Sequence, residues 1–322
     1  MKLVVQIPCL NEEASLPVTL ADLPRSLPGI TSIEVLVIDD GSTDRTSEVA
    51  VALGVQRVRR FTARRGLAHA FAEGLREALA MGADVIVNTD ADNQYVGADI
   101  GRLVEPILAR RADMVVGTRP IDAIAHFSPL KKSLQRLGSG VVRALSNTDV
   151  PDATSGFRAY SREAALRLTV LTSFTYTLET LIQASQKNIT IAHVPIRVNG
   201  KLRESRLFRG MGSYITRSLG TMARVYLLYR PLRFFLTLAA SCMGAALVLF
   251  ARFMFLFVTT PGQTGHVQSL VVAGALAVMG TLFVALGVLA DLSAMNRRLL
   301  EEIVVNTRRQ GLQSPNGTRD RA

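Results

Sequence analysis

The chain has 322 residues, 48% of them hydrophobic, and a formal net charge of +11, which is enough length for one sizeable α/β domain and something more. Its positive charge is concentrated: between Asn199 and Arg233 eight basic residues (Lys201, Arg203, Arg206, Arg209, Arg217, Arg224, Arg230, Arg233) face the single acid Glu204. An apolar stretch follows at once and no nucleic-acid recognition motif accompanies the charge, so the composition argues against nucleic acid and for anionic lipid headgroups.

In chain order, strand-like runs at Leu3 to Ile7, Glu34 to Ile38, Val85 to Val87 and Met114 to Val116 alternate with helical stretches near Glu13 to Leu27, Thr43 to Leu53, Leu67 to Met81 and Ile100 to Arg110. This alternation predicts an α/β fold with a mostly parallel sheet, whose ligands bind at the carboxyl ends of the strands. The polar motifs fall there: PCLNEE at 8–13, DDGSTD at 39–44 and DADNQ at 90–94. Three motifs at matching strand ends point to one site. Gly41 stands where a tight turn calls for a positive φ. Residues 1–6 lack the charged leader and cleavage site of a signal peptide, so the first strand is read as part of the fold and the N-terminal domain as cytoplasmic. Cys9 and Cys242 are read as packing residues, with no disulfide between them.

Within NTDADNQY, residues 88 to 95, acidic and amide side chains recur at Asp90, Asp92 and Gln94. On an extended backbone these three share one side. Such an all-oxygen set suits Mg²⁺ or Mn²⁺ completed by a substrate phosphate. The competing reading is a polar turn before the helix near Asp99.

The last third is membrane-like. Residues 234–258 contain one charge, Arg252, and residues 270–290 contain none, each stretch being long enough to cross a hydrocarbon core of roughly 30 Å. The loop at 259–269 lacks Lys and Arg, whereas Arg230 and Arg233 precede the pair and Arg297 and Arg298 follow it. The positive-inside rule then places both termini in the cytoplasm, on the inner (cytoplasmic) membrane. Before the pair, Ile215, Leu219, Met222, Val225 and Tyr226 form an apolar face with Arg217 and Arg224 elsewhere, which predicts an amphipathic interface helix. The expected organisation is a catalytic domain over 1–209, the interface helix at 210–233, a transmembrane hairpin at 234–292 and a cytoplasmic, partly disordered tail at 293–322. Gly244, Gly274 and Gly280 would permit close helix packing and a homo-oligomer.

PCLNEE, VLVIDDGSTDRT, RRGLAHAFAEGLREA, NTDADNQY and TSGFRAYSREA, in that order and spacing, resemble the family 2 inverting glycosyltransferases of the GT-A fold. With the amphipathic segment and hairpin behind them, the whole is similar to the polyprenyl-phosphate and dolichyl-phosphate branch. The resemblance implies transfer of a sugar from a nucleotide sugar, UDP favoured over GDP, to a polyprenyl phosphate. It implies that Asp92 and Gln94 ligate Mg²⁺ or Mn²⁺, with Asp90 nearer the ribose or a bound water. It places Pro8, Leu10, Glu12, Asp39 and Arg65 around the nucleotide. Glu179 matches an acidic position near the acceptor, catalytic or acceptor-orienting in role, against solvation on a helix surface. Arg119, Lys132, Arg203 and Arg206 are the cations expected to hold the two phosphate groups. One departure is visible: Asn88 and Thr89 occupy positions where the family more often carries apolar residues. A processive polysaccharide synthase would need the tryptophan of Q-x-x-R-W, and the chain has no Trp. A nucleotidyltransferase would show a glycine-rich basic loop after the first strand. A non-catalytic scaffold would have no use for the metal-type side chains.

Overall fold

The computed structural model describes residues 1–120, 149–170, 176–200, 220, 226–227, 231–259 and 267–313. Two compact units make up the chain, one from residues 1–222 with 305–322 and one from residues 223–304.

The first unit is built on a seven-stranded sheet of order β3-β2-β1-β4-β6-β5-β7. Its strands are β1 (Lys2–Cys9), β2 (Ser32–Asp39), β3 (Arg57–Arg60), β4 (Val85–Asn88), β5 (Met114–Thr118), β6 (Arg158–Ser161) and β7 (Ile191–Pro195). β1 pairs in parallel with β2 and β4, and β6 runs antiparallel between β4 and β5. The chain leaves β1 toward β2 and β3 and returns to β4 on the other side of β1. That reversal is the topological switch point where open α/β sheets bind ligands. β1 and β4 are buried along almost their whole length, as strands covered on both faces must be. One apolar layer contains Val4, Ile86, Phe71 and Tyr160, the other Leu3, Val5, Val87 and Phe157.

The helices of this unit are α1 (Leu16–Asp22), α2 (Thr46–Ala52), α3 (Leu67–Ala80), α4 (Ile100–Leu108), α5 (Arg162–Arg167) and α6 (Tyr176–Gln186). α1 is shorter than the expected 13–27. Its C-cap residue Leu23 is already extended, because Pro24 follows and a residue before proline is driven out of the helical region. α2 starts at Thr46 and not at Thr43, since Asp44 Oδ1 accepts the Thr46 amide at 3.0 Å and holds the preceding residues in a turn. β3 was not expected: RVRR reads as solvated charge, yet as an edge strand it needs only Val58 turned inward.

The second unit contains most of two helices, α7 (Pro231–Thr259) and α8 (Val267–Gln313), both long and apolar enough to cross a membrane. Only 11% and 17% of their most apolar windows are buried, and Phe255 and Val258 are 67% and 75% exposed. A core helix of a soluble protein would hide such side chains. The helices touch closely at Gly280, where a Cβ would come within 2.9 Å of the Met243 side chain, and at Gly287, against Phe235. Gly244 and Gly274 have open space around them. α8 continues to Gln313, so the expected partly disordered tail is helical over 293–313. The reason lies in its end, which docks within the first unit: Arg309 pairs with Glu163 at 2.9 Å, Arg308 donates to the carbonyls of Leu166 and Leu168, and Leu312 packs against the core. The expected interface helix at 210–233 lies almost wholly outside the described residues.

Candidate active site

The loops after β1 and β2 are stitched together by side chains reaching for backbone groups. The Asn11 amide donates to Ser42 Oγ at 2.9 Å, the Thr43 amide to Asn11 Oδ1 at 2.8 Å, and the Glu12 amide to Thr46 Oγ1 at 2.8 Å. Register brings Cys9 beside Asp39. Asp39 is buried, accepts the Ser42 amide at 2.7 Å and the Ser47 hydroxyl, and lies 3.6 Å from Arg60 Nε. Pro8 is buried within β1, Leu10 is half-buried just beyond it, and Glu12 is buried against Ser15. Asp40, which sequence reading passed over, accepts the backbone amides of Arg65 at 2.7 Å and Gly66 at 2.9 Å. It thereby holds the RRG segment against the loop after β2, and the Arg65 guanidinium stacks on Phe61 at 4.8 Å. Gly41 has φ +75°, and a Cβ there would lie 2.8 Å from the Arg64 amide nitrogen. Turn and close approach both require glycine.

The third loop is tied in by Thr19, whose hydroxyl donates to the Ala91 carbonyl at 3.0 Å. Here the extended-backbone expectation fails. β4 ends at Asn88, the chain turns at Ala91 and Asp92, and Asn93 has φ +53°, a left-handed conformation that asparagine tolerates. Asp92 Oδ1 accepts the Gln94 amide at 3.1 Å, closing the turn. Asp90 and Asp92 still face each other. Burial first and the charge of Asp92 second push the Asp90 carboxyl up to about 7, against the pull of Arg119. The same negative field appears at Cys9, whose thiol is pushed up by burial and by Glu12, Asp39 and Asp44. Among the described residues no three His, Cys, Asp or Glu side chains are grouped to hold a metal unaided. Two neighbouring half-buried carboxylates, Asp90 and Asp92, fit instead an ion that shares its shell with substrate oxygens.

The far side of the site is built from buried charge. Arg119 grips Asp152 through two nitrogens at 2.7 and 3.0 Å and donates to Thr154 Oγ1 at 3.0 Å. Burial alone would push the Asp152 carboxyl up; the charge and hydrogen bonds of Arg119, with Thr154, outweigh it and hold the group below the usual carboxylate range. Arg158 is fully buried and donates to the carbonyls of Ala153, Ser155 and Thr177 and to Thr180 Oγ1, all within 2.9 Å. It fastens the TSGFR loop to α6. Glu179 is buried on α6, where Gln183 Nε2 donates to it at 3.1 Å, so it is not a solvated surface residue. The sequence expectations did not include Asp152, Arg158, Tyr95 or Tyr176, and no local pattern marks them.

Beyond β7 the chain returns to the acidic loop. Tyr95 bridges to Val198, the Asn199 amide donates to the Gln94 carbonyl at 2.8 Å, and Arg197 pairs with Asp99 at 2.8 Å. Lys132, Arg203 and Arg206 lie outside the described residues.

The model of glycosyl transferase family 2 matches residues 4–169, just over half of the chain and the span carrying all three strand-end motifs. The chain belongs to glycosyl transferase family 2. Among relatives of this glycosyltransferase, the undecaprenyl-phosphate mannosyltransferase of Micrococcus luteus is 31% identical over 222 residues, covering 66% of this chain and 89% of that protein. The UDP-N-acetylglucosamine–dolichyl-phosphate N-acetylglucosaminyltransferase of Methanococcus voltae is 29% identical over 216 residues, covering 59% and 83%. The expected likeness to the polyprenyl-phosphate and dolichyl-phosphate branch is thus borne out. In fold, the glycosyltransferase is similar to glucosyl-3-phosphoglycerate synthase of Mycobacterium tuberculosis, solved with Mn²⁺, UDP and phosphoglyceric acid. The TM-score is 0.52 at 22% identity, covering 71% of this chain and 76% of that one. The catalytic unit is therefore GT-A-like, as the sequence implied.

Proposed function

We propose that this glycosyltransferase moves a sugar from a nucleotide sugar, a UDP-sugar ahead of a GDP-sugar, onto a polyprenyl phosphate at the cytoplasmic face of a membrane, with inversion at the anomeric carbon. The observation that carries the reading is the junction of Gln94 with Asn199. The basic run 201–206 departs from the acidic loop itself, and Arg203, four residues beyond Asn199, can be at most about 14 Å along the chain from it. The sequence then runs on into two membrane-length helices.

In this reading Asp92 and Gln94 hold Mg²⁺ or Mn²⁺, with Asp90 beside them, and Pro8, Leu10, Glu12, Asp39 and Arg65 surround the nucleotide. The bound ion would neutralise charge on the departing diphosphate. An oxygen of the lipid phosphate attacks the anomeric carbon, and the bond to the diphosphate breaks with its electron pair leaving on the nucleotide. A phosphate monoester has a second pKa near 6, by analogy with phosphoserine, and is already largely ionised at neutral pH. Glu179 therefore acts as an orienting group rather than a strong base. Arg203 and Arg206, with Lys132, hold the lipid phosphate; Arg119, already engaged by Asp152, faces Asp90 and the diphosphate side. α7 and α8 span the membrane, and both termini are cytoplasmic.

The reading is supported by the two relatives whose names specify lipid-phosphate acceptors. It is tested with purified protein, polyprenyl phosphate, a panel of nucleotide sugars and either metal. The expected product is a lipid-phosphate sugar, and its formation stops in excess EDTA. Equal transfer to a soluble acceptor without phosphate would favour a different family 2 activity. Topology is checked separately: a cysteine at Gln263 should react with an impermeant thiol reagent from outside the cell and one at Ser314 should not, and the opposite pattern would invert the hairpin.

A further inference from the structure

Asn88, two residues before Asp90 at the end of β4, is fully buried and uses its whole amide. Its Oδ1 accepts from Gln6 Nε2 at 2.8 Å, and its Nδ2 donates to the Gly156 carbonyl at 2.8 Å and to the Tyr176 hydroxyl at 2.9 Å. Gly156 is held from its other side as well, its amide donating to the Tyr95 hydroxyl at 3.2 Å, and Tyr95 in turn hydrogen-bonds Asp90. The Gly156 peptide is therefore fixed at both ends. A Cβ on Gly156 would lie 3.0 Å from the Tyr176 hydroxyl and 3.1 and 3.2 Å from the two carboxylate oxygens of Asp90. The Asp90 carboxylate rests directly against this peptide, and the peptide's position is set by Asn88.

A purely structural role would be an odd use of the position. The network is incomplete at its rear, where Gln6 Oε1 is buried without a hydrogen-bond partner. That oxygen lies 2.5 Å from where a Cβ on Gly74 would stand, so α3 crosses too tightly to offer a donor. A buried polar atom left unpaired costs stability, and an apolar pair at Gln6 and Asn88 would avoid that cost. What the apolar pair would lose is the grip on Gly156 and Tyr176, both of which face Asp90.

We infer that Asn88 is a positioning residue for the metal carboxylates: through Gly156 and Tyr176 it fixes where Asp90 stands relative to Asp92. This rests on the reading of Asp90 and Asp92 as the metal loop, and the test separates the two. Mn²⁺ binding is measured in the full-length protein with UDP, by calorimetry and by the paramagnetic resonance of the free ion, beside the melting temperature. Wild type must bind Mn²⁺ in a UDP-dependent way; if it does not, the metal reading itself fails and this inference with it. Given that binding, Asn88→Leu should weaken Mn²⁺ affinity about tenfold, the low end of the effect of a direct partner of a metal ligand, since Asn88 acts through Gly156 and Tyr176. Gly156→Ala should weaken it too, because Asp90 must give way to the methyl group. The double variant Gln6→Leu/Asn88→Leu should recover thermal stability over Asn88→Leu while remaining weak for Mn²⁺. Tyr176→Phe, which removes a single hydroxyl, should show a smaller loss in the same direction and serves if Asn88→Leu does not fold. Wild-type Mn²⁺ affinity in Asn88→Leu, or in Tyr176→Phe where that variant stands in, would overturn the inference, as would a double variant that recovers affinity together with stability.

Discussion

The two sides of the site are built on opposite plans. The side formed by the loops after β1, β2 and β4 is made of turns whose side chains accept backbone amides of a neighbouring loop, such as Asn11 with Thr43 and Asp40 with Gly66. The side formed by Arg119, Asp152, Arg158 and α6 is made of buried charged side chains, Arg119 closed on Asp152 and Arg158 on the carbonyls of Ala153, Ser155 and Thr177. The first plan leaves Asp90 and Asp92 close enough to repel each other; the second closes Asp152 on Arg119. The difference separates tasks. A loop that takes up an ion, as proposed for Asp92 and Gln94, has to keep negative charge available, whereas a supporting wall has to be satisfied if it is to stay rigid, since half-paired buried polar groups are costly.

That contrast can be broken at its strongest point first. If Asp92 ligates the ion as proposed, Asp92→Asn replaces a charged ligand by a neutral one, so turnover should fall by orders of magnitude while the melting temperature changes little. Near-normal turnover would mean that this charge has no catalytic use. On the buried side the order should reverse. Asp152→Ala removes the buried carboxylate that Arg119 grips, and should cost about 3–5 kcal/mol of stability, read as a shifted denaturation midpoint; an unshifted midpoint would place water in the wall. The sign of its pH dependence follows from the lowered carboxyl of Asp152. The unfolded group binds a proton first as pH falls, so the stabilisation is complete above the ordinary carboxylate pKa of about 4 and is lost as pH falls from there through the lowered pKa of the folded group. Melting curves of wild type and Asp152→Asn should therefore converge below about pH 4.

Much of the first side was legible in the sequence, because each of its motifs is a short run at the end of a visible strand. PCLNEE, DDGSTD and DADNQ each end a strand whose apolar run is visible, and parallel pairing carries them to one edge of the sheet. Even there the local path was misjudged: 90–94 was read as extended, whereas Asn93 turns left-handed and the Asp92 side chain closes a turn. The second side was nearly illegible. Nothing in the spacing of Asp152 and Arg119 announces an ion pair, and Arg158 inside TSGFR looks like any surface arginine until α6 closes over it. The antiparallel β6 was missed for a related reason, its four residues RAYS being too short and mixed to show a period. The tail of α8 reads as polar and loose because its partner, Glu163, is distant in sequence.

Two smaller effects sharpen the contrast. If Arg203 and Arg206 grip the lipid phosphate with their planar forks, lysine should substitute poorly. Arg203→Lys and Arg206→Lys should then raise the KM for polyprenyl phosphate by roughly ten- to a hundredfold, the loss of one ionic hydrogen bond of about 1.5–3 kcal/mol, with the KM for the nucleotide sugar nearly unchanged. An equal rise in both constants would place these residues on the nucleotide. Gly41→Ala should cost about 1–2 kcal/mol through its left-handed backbone, and nucleotide affinity should fall with it as the 63–64 backbone is pushed away. Unchanged affinity would detach that turn from the pocket.

The most direct measurement compares transfer of labelled sugar to polyprenyl phosphate and to the polyprenol of the same chain length, both in vesicles, with Mn²⁺ and the preferred nucleotide sugar. A lipid-phosphate acceptor gives label in the lipid phase only when the phosphate is present, together with one free nucleoside diphosphate per sugar transferred. Comparable labelling of the phosphate-free polyprenol would contradict it.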